Sequence, residues 1–172
     1  MTQDKRMKDA VSYRVVGKEG AEILTLLWDK ANARRLGTPM PDASVPDAVR
    51  RTQERVAAPG ALGVIAETME EGALAGCFAT QLVDSSAEPT RNAAHVSGLC
   101  VRPDHWGQGL GAGVLISLER ALVRAGYRLA QLHVLETNER ARSLYERLSW
   151  HLVREGDPNP DGPQAVYEKA LV

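Results

Sequence analysis

The stretch Trp106-Gly107-Gln108-Gly109-Leu110-Gly111-Ala112-Gly113-Val114 places glycine at four alternate positions and then runs into an apolar, helix-spaced segment. Ordering a glycine costs more backbone entropy than ordering any other residue, so four in so short a span need a reason. The first N–H groups of a helix have no partners inside it and carry about half a positive charge in sum. A glycine approach removes the side chains that would keep an anion off them. Binding a phosphate is therefore the chemistry this loop could do; a tight connection without a ligand is the other reading. The Walker pattern fails, because Val114 and Leu115 follow Gly113 where Lys and then Ser or Thr are required. The dinucleotide fingerprint also fits poorly. Glu136 stands where its acid would, but Arg102 to Trp106 separate the loop from the preceding strand.

Two histidines sit inside predicted strands: His95 at the start of one, and His133 between Leu132 and Val134 on another. An imidazole titrates near neutral pH and can relay a proton. His105 and His151 lie near element ends and receive no role. Cys77 and Cys100 sit in apolar runs without metal-ligand spacing. The sequence identifies no basic partner that would make Cys100 a thiolate, so it reads as a small packed hydrophobe. No metal site is expected.

The elements that must carry these residues follow from periodicity. Val11–Val16 reads as a strand. Ala21–Arg35 reads as a helix with Ile23, Leu24, Leu27, Trp28 and Ala31 on one face, stopped by Gly37, Pro39 and Pro41. Pro46 opens a polar surface helix reaching Val56. Leu62–Thr68 and Ala73–Leu82 form a hairpin about Glu70-Glu71-Gly72. Asp84–Asn92 reads as a polar loop and His95–Val101 as a strand. The glycine stretch leads into a helix with Val114, Leu115, Leu118 and Leu122 inward, capped by Gly126. Leu129–Leu135 is a strand, and Asn138 caps a helix to Leu148. Trp150–Glu155 and Ala165–Leu171 close the chain as strands.

Composition bounds the rest. At 172 residues, 44% hydrophobic, the chain suffices for one domain, residues 1–172, with one core. Balanced charge, net −1, argues against nucleic acid and polybasic membrane partners. The polar start, Met1–Ala10, has no signal-peptide pattern, and no run of apolar residues is long enough to span a bilayer. With no disulfide framework, a cytoplasmic location is expected.

The segments HVSGLCVRPDHWGQGLGAGVLISL and LHVLETNERARSLYERLSW together resemble the GNAT superfamily of acyl-CoA-dependent N-acyltransferases. The likeness rests on the strand Leu99-x-Val101, Arg102-Pro103, the glycine loop and its helix, Leu132-x-Val134, and Asn138-x-x-Ala141-x-x-Leu144-Tyr145. It covers Ala94–Trp150, about a third of the chain, and each motif is weak outside the ordered set. The resemblance implies an α/β (α+β) fold: a mixed, strongly twisted sheet with helices on both faces, in the order β-α-α-β-β-β-α-β-α-β-β. Its parallel strands His95–Val101 and Leu129–Leu135 would splay around acetyl-CoA. The resemblance puts the pantetheine arm on backbone groups of Leu99, Cys100 and Val101. It puts the pyrophosphate on N–H groups of Gly107, Gln108, Gly109, Leu110, Gly111 and Ala112, with Asn138 beside the cofactor.

The same resemblance assigns Tyr145 the proton for the leaving thiolate, where helix periodicity alone reads a core tyrosine. It gives the oxyanion to the N–H of Cys100 or Val101. The base is His95, with His133, Glu136 acting through water, or no dedicated base as alternatives. Arg140 and Arg142 are surface residues or partners of the 3′-phosphate. The chain departs from the family at Trp106, where Arg or Gln is usual, and at Ser149-Trp150, where Gly and an aromatic are usual. Acceptor choice would fall to loops Leu36–Val45 and Gly156–Gln164, with Asp42, Asp157 and Asp161, and to an apolar wall of Trp28, Met40 and Trp150. The activity implied is acetyl transfer to a primary amine, of a small molecule, by direct attack in a ternary complex. A peptide N-terminus or lysine as acceptor, and a catalytically idle CoA-binding regulatory domain, are the alternatives. Either a monomer or a homodimer is compatible.

Overall fold

The computed structural model describes residues 10–83 and 89–172, with residues 89–91 as backbone. The elements are β1 (Ser12–Val16), α1 (Ala21–Leu36), α2 (Pro46–Val56), β2 (Leu62–Thr68), β3 (Gly72–Val83), β4 (Pro89–Val101), α3 (Leu110–Arg124), β5 (Leu129–Leu135), α4 (Glu139–Arg147), β6 (His151–Asp157) and β7 (Gln164–Ala170). Seven strands form one sheet in the order β1-β2-β3-β4-β5-β7-β6. Every pairing is antiparallel except β4 with β5. This is the mixed α/β architecture that the sequence implied.

β4 is longer than expected. It begins at Pro89, inside the stretch read as a loop, because β3 reaches Val83 and pairs Val83 with Pro89 and Gln81 with Ala94. A ready strand edge draws polar residues into a sheet that their own preferences would not build. Residues 84–88 of that expected loop, and the polar start through residue 9, lie outside the described residues.

The sheet has two covered faces. Val114, Leu115, Leu118 and Leu122 of α3 are fully buried, as their spacing predicts, against Val64, Leu74, Ala94, Val96, Leu132 and Tyr167. On the other face α1 and α2 cover β3 and β4 through Leu24, Val56, Ile65 and Phe78. Trp28 does not join that core. It stays 44% exposed, one position round the helix from buried Leu27. Gly126 ends α3 at φ +97°, with Tyr127 N–H donating back to Leu122 O at 3.0 Å. Among the described residues no helix is long and apolar enough to cross a membrane.

The end of α4 shows what Ser149-Trp150 does. Ser149 stands at φ +64°, and the Trp150 N–H donates to Tyr145 O at 2.9 Å. This is the left-handed closure for which glycine is usual. Trp150 is not part of an exposed wall: it is 2% exposed, and its Nε1 donates to Glu119 Oε1 at 2.9 Å. The left-handed region costs an L-residue about 1–2 kcal/mol, and glycine's larger unfolded-state freedom returns part of that. Ser149→Gly is expected to raise stability by about 0.5–1 kcal/mol, read as a higher urea midpoint at unchanged slope; an unchanged or lower midpoint contradicts the strain.

Candidate active site

β4 and β5 are paired only from Ala93–Val96 to Leu129–Leu132. Beyond that point each strand keeps its outer partner. Cys100 and Val101 stay on Gly76 and Ala75 of β3, and His133–Leu135 stay on Val166–Gln164 of β7. The inner edges part. Between Ser97 and Cys100 the register with β3 shifts, and Gly98 takes φ +66°, a bulge that bends its strand.

The register identifies which main-chain groups face the parting. Opposed antiparallel residues alternate between bonded and non-bonded pairs. Arg102 N–H donates to Leu74 O at 2.7 Å, so Cys100 opposite Gly76 is a bonded pair and Val101 opposite Ala75 is not. Cys100 N–H is therefore used by β3, which corrects its place among oxyanion donors; Val101 N–H faces the gap. The Cys100 thiol is buried, points at Gly76 O, and burial pushes its pKa up to about 12. It is the packed hydrophobe that the sequence suggested.

At the mouth of the gap the four glycines do separate jobs. Gly107 and Gly109 stand at φ +82° and +80° and make the turn into α3. Gly111 faces Leu144 and Val101, and Gly113 makes room for the Tyr13 ring of β1. The start of α3 has no capping side chain and no acidic residue in its first turn. Gly113 N–H returns to Gly109 O at 3.1 Å, while the N–H groups of Leu110, Gly111 and Ala112 have no acceptor within the helix. That is an anion-ready terminus.

The loop is held from behind by a charged network. Arg102 bonds Glu71 of the β2–β3 turn and Asp104, and His105 bonds Glu71 and Gln108. The Arg102 guanidinium supplies a fixed cation among Glu71, Asp104 and His105, whose ligand atoms lie close enough together for a metal. The Glu71 carboxylate raises the pKa of His105. Trp106 turns its indole onto β4, with Nε1 donating to Val101 O at 2.8 Å. The guanidinium of Arg140 in α4 lies 5.1 Å from the Trp106 ring centroid, so one stacked pair joins the two sides of the mouth.

Tyr145 closes the other end. It is 6% exposed, between Trp150 and Tyr167 at centroid distances of 6.2 and 5.9 Å. Burial raises its pKa well above that of a free phenol, so it stays protonated. No described residue hydrogen-bonds its hydroxyl, and no buried side-chain oxygen among the described residues lacks a partner. The hydroxyl tip therefore meets solvent and can donate. Asn138 caps α4, its Oδ1 accepting from Ala141 N–H at 3.2 Å, and is exposed.

On the α2 side of the sheet, His95 and His133 face each other with ring centroids 5.3 Å apart. His133 Nε2 lies 3.5 Å from Asp157 Oδ2. Burial, then His133 and Arg55, push His95 down to about 4; it is neutral at pH 7 with its lone pair available. Arg55 rests over Phe78 at 4.7 Å and donates from Nη2 to Ser97 Oγ at 3.1 Å.

A sequence match to the acetyltransferase (GNAT) family spans residues 22–150. The chain belongs to the GNAT acetyltransferase family. Three solved structures have the same fold. yncA from Salmonella typhimurium, solved with its cofactor acetyl-CoA, is 18% identical with a TM-score of 0.72, over 95% of each chain. An acetyltransferase from Thermus thermophilus is 21% identical with a TM-score of 0.70, over 96% of this chain and 99% of the other. An N-acetyltransferase from Staphylococcus aureus is 16% identical with a TM-score of 0.73, over 95% of this chain and 100% of the other. None of the curated proteins compared matches the chain.

Within this acetyltransferase the structure places Gly111 of the loop against Val101 of β4 and Leu144 of α4, Tyr145 in the core beside Trp150 and Tyr167, and His95 and His133 in contact on the opposite face of the sheet. Other named residues are engaged elsewhere. Arg142 is held by Tyr167 Oη, Glu136 O and Glu155, so only Arg140 is turned to the mouth. Glu136 Oε1 accepts from Gly156 N–H at 2.6 Å. Asp157 is tied to Arg154 and His133. Asp42, Asp161 and Met40 are exposed in their loops. Sequence patterns do not single out Ser97 and Arg55. Ser97 shares a strand face with His95 at a spacing of two, a usable signal; nothing local to Arg55 points to β4.

A folded-state pKa of about 4 for His95 lies below the ordinary value of about 6.5. Its neutral form stabilises the fold above that ordinary value, and the contribution is lost as pH falls from about 6.5 towards 4. His95→Gln should flatten that decline, narrowing the difference in unfolding free energy between pH 7 and pH 5 by about 2 kcal/mol. Identical pH dependence in the two proteins would contradict a buried neutral imidazole.

Proposed function

We propose that this acetyltransferase moves the acetyl group of acetyl-CoA to the primary amine of a small molecule, by direct attack in a ternary complex. The observation that carries the reading is the parting of β4 from β5, with helix N–H groups that have no acceptor in their helix following on β4. yncA, of the same fold, was solved with acetyl-CoA. The N–H groups of Leu110, Gly111 and Ala112, with those of Gly107 to Gly109, would hold the pyrophosphate, and Arg140 adds positive charge at the mouth. The inner edge of β4 at Leu99 would pair with the pantetheine amides as an added strand does.

The chemistry then needs three services. The amine nitrogen, as the free base, bonds to the carbonyl carbon, and the carbon–sulfur bond breaks. Val101 N–H is placed to steady the oxyanion between these events. Tyr145, protonated and unpartnered, gives its proton to the leaving thiolate sulfur and recovers one from solvent. His95, neutral at pH 7 and beside His133, takes the proton that the amine sheds and passes it to solvent. A small acceptor is favoured because His95, His133, Ser97 and Arg55 lie close enough together for one compact molecule to touch them all.

Calorimetry with acetyl-CoA, desulfo-CoA and NAD is expected to show binding of the first two and none of the third. Tyr145→Phe should lower turnover at least tenfold, read as thiol release, while acetyl-CoA affinity stays within about twofold. Unchanged turnover removes Tyr145 from the chemistry. Absence of acetyl-CoA binding overturns the reading of the gap.

A further inference from the structure

Arg55 stands apart from most of the anchored arginines. Arg14, Arg50, Arg102, Arg142 and Arg154 each hold a carboxylate within ion-pair distance. Arg55 has none among the described residues. Its guanidinium is nevertheless fixed, over the Phe78 ring at 4.7 Å and on Ser97 Oγ at 3.1 Å. The side chain is open to solvent, but the surrounding protein strips enough water from it to lower its pKa. An oriented, partly desolvated cation without a counter-charge is a site for an anion.

Its place says which anion. Along β4, Ala94 and Val96 face the α3 core, so His95 and Ser97 face the opposite side. Arg55 reaches that side from the last turn of α2, and its charge is felt at His95. On the same side the neighbouring carboxylates are occupied: Asp157 by Arg154 and His133, and Glu168 by Gln131 Nε2 at 2.8 Å. Glu168 and Asp29 keep their negative charges, held by the neutral Gln131 amide and the Ser44 hydroxyl; the charged group bonded to the strand face that carries His95 is the guanidinium of Arg55, on Ser97. The loop N–H groups and Arg140 that would meet the cofactor phosphates are on the far side of the gap. Arg55 is on the side from which the amine must approach.

Resting on the amine-acetylating reading above, we infer that the acceptor carries a carboxylate close to its amine, as an α-amino acid does, and that Arg55, steadied by Ser97 and Phe78, binds that carboxylate. The carboxylate on Arg55 sets the amino group beside His95 and His133 and in front of the parted edge of β4. Arg55 is a specificity residue, not a catalytic one.

The test compares α-amino acids with their decarboxylated amines, L-leucine with isoamylamine and L-phenylalanine with phenethylamine. The wild-type protein is expected to prefer the amino acid by at least about 50-fold in kcat/KM. Arg55→Gln should lower kcat/KM for the amino acids at least about 30-fold, mainly through KM, and change it less than threefold for the amines. Arg55→Lys should recover part of the loss. Binding of L-leucine to the protein with desulfo-CoA, read by calorimetry, should weaken in parallel. Equal or better use of the decarboxylated amines, or an equal loss for both classes in Arg55→Gln, overturns the inference and leaves the amine acetyltransferase standing. Acetyl-CoA binding without acetylation of either class overturns the small-molecule acceptor as well.

Discussion

The structure depends on one unmet obligation. Strands β4 and β5 share a parallel ladder for only four residues each and then part, because each is held more firmly by its outer neighbour. Main-chain N–H and C=O groups must be bonded somewhere when they are removed from water. Beyond Val96 and Leu132 the inner edges have lost their partner, and the bulge at Gly98 turns the edge of β4 into the gap. A ligand with amides spaced like a peptide satisfies such an edge. The protein supplies one substitute itself, the indole N–H of Trp106 on Val101 O. The other elements keep the gap open or furnish its two ends.

Trp106 explains how the chain tolerates its departure from the usual loop. The position normally offers a polar or charged side chain. Here it offers an apolar ring that is fixed twice, by its N–H to β4 and by Arg140 on its face. The positive charge has not disappeared from the mouth; it is carried by α4. Under the proposed reading the backbone N–H groups would do the remaining work of holding an anion, and these do not depend on side-chain identity. The network of Glu71, Arg102, Asp104 and His105 ties the loop to the β2–β3 turn, so the N–H groups of α3 are presented on a braced support.

Most of this was legible where chemistry is local. The limits of α2, β2 and β5, the caps at Gly126 and Asn138, and the inward face of α3 follow from spacing and from residues whose backbone preferences are strong. The extension of β4 to Pro89 was not legible, because it is imposed by the length of β3. Trp28 and Trp150 exchanged their expected places for a related reason. Burial of a large ring is decided by what packs against it, and Glu119 awaits the indole N–H of Trp150 at a distance of 31 residues. Arg55 and Ser97 met through tertiary structure alone. The pair His95 and His133 was readable as two strand histidines, but their contact required the parallel register of β4 and β5.

The two sides of the gap also differ in how they treat charge, and that difference orders the reaction. The cofactor side concentrates unpartnered donors: helix N–H groups and Arg140. On the other side Asp157 is paired with Arg154, and His95 is uncharged at pH 7. In the proposed complex an ammonium arriving there leaves bulk water and meets the neighbouring Arg55, and each disfavours its charged form. Both effects push an amine towards its free base, the form that attacks. A carboxylate bound to that guanidinium cancels much of its charge, so in the proposed complex Arg55 positions the amine, and the loss of water around it is what favours the free base.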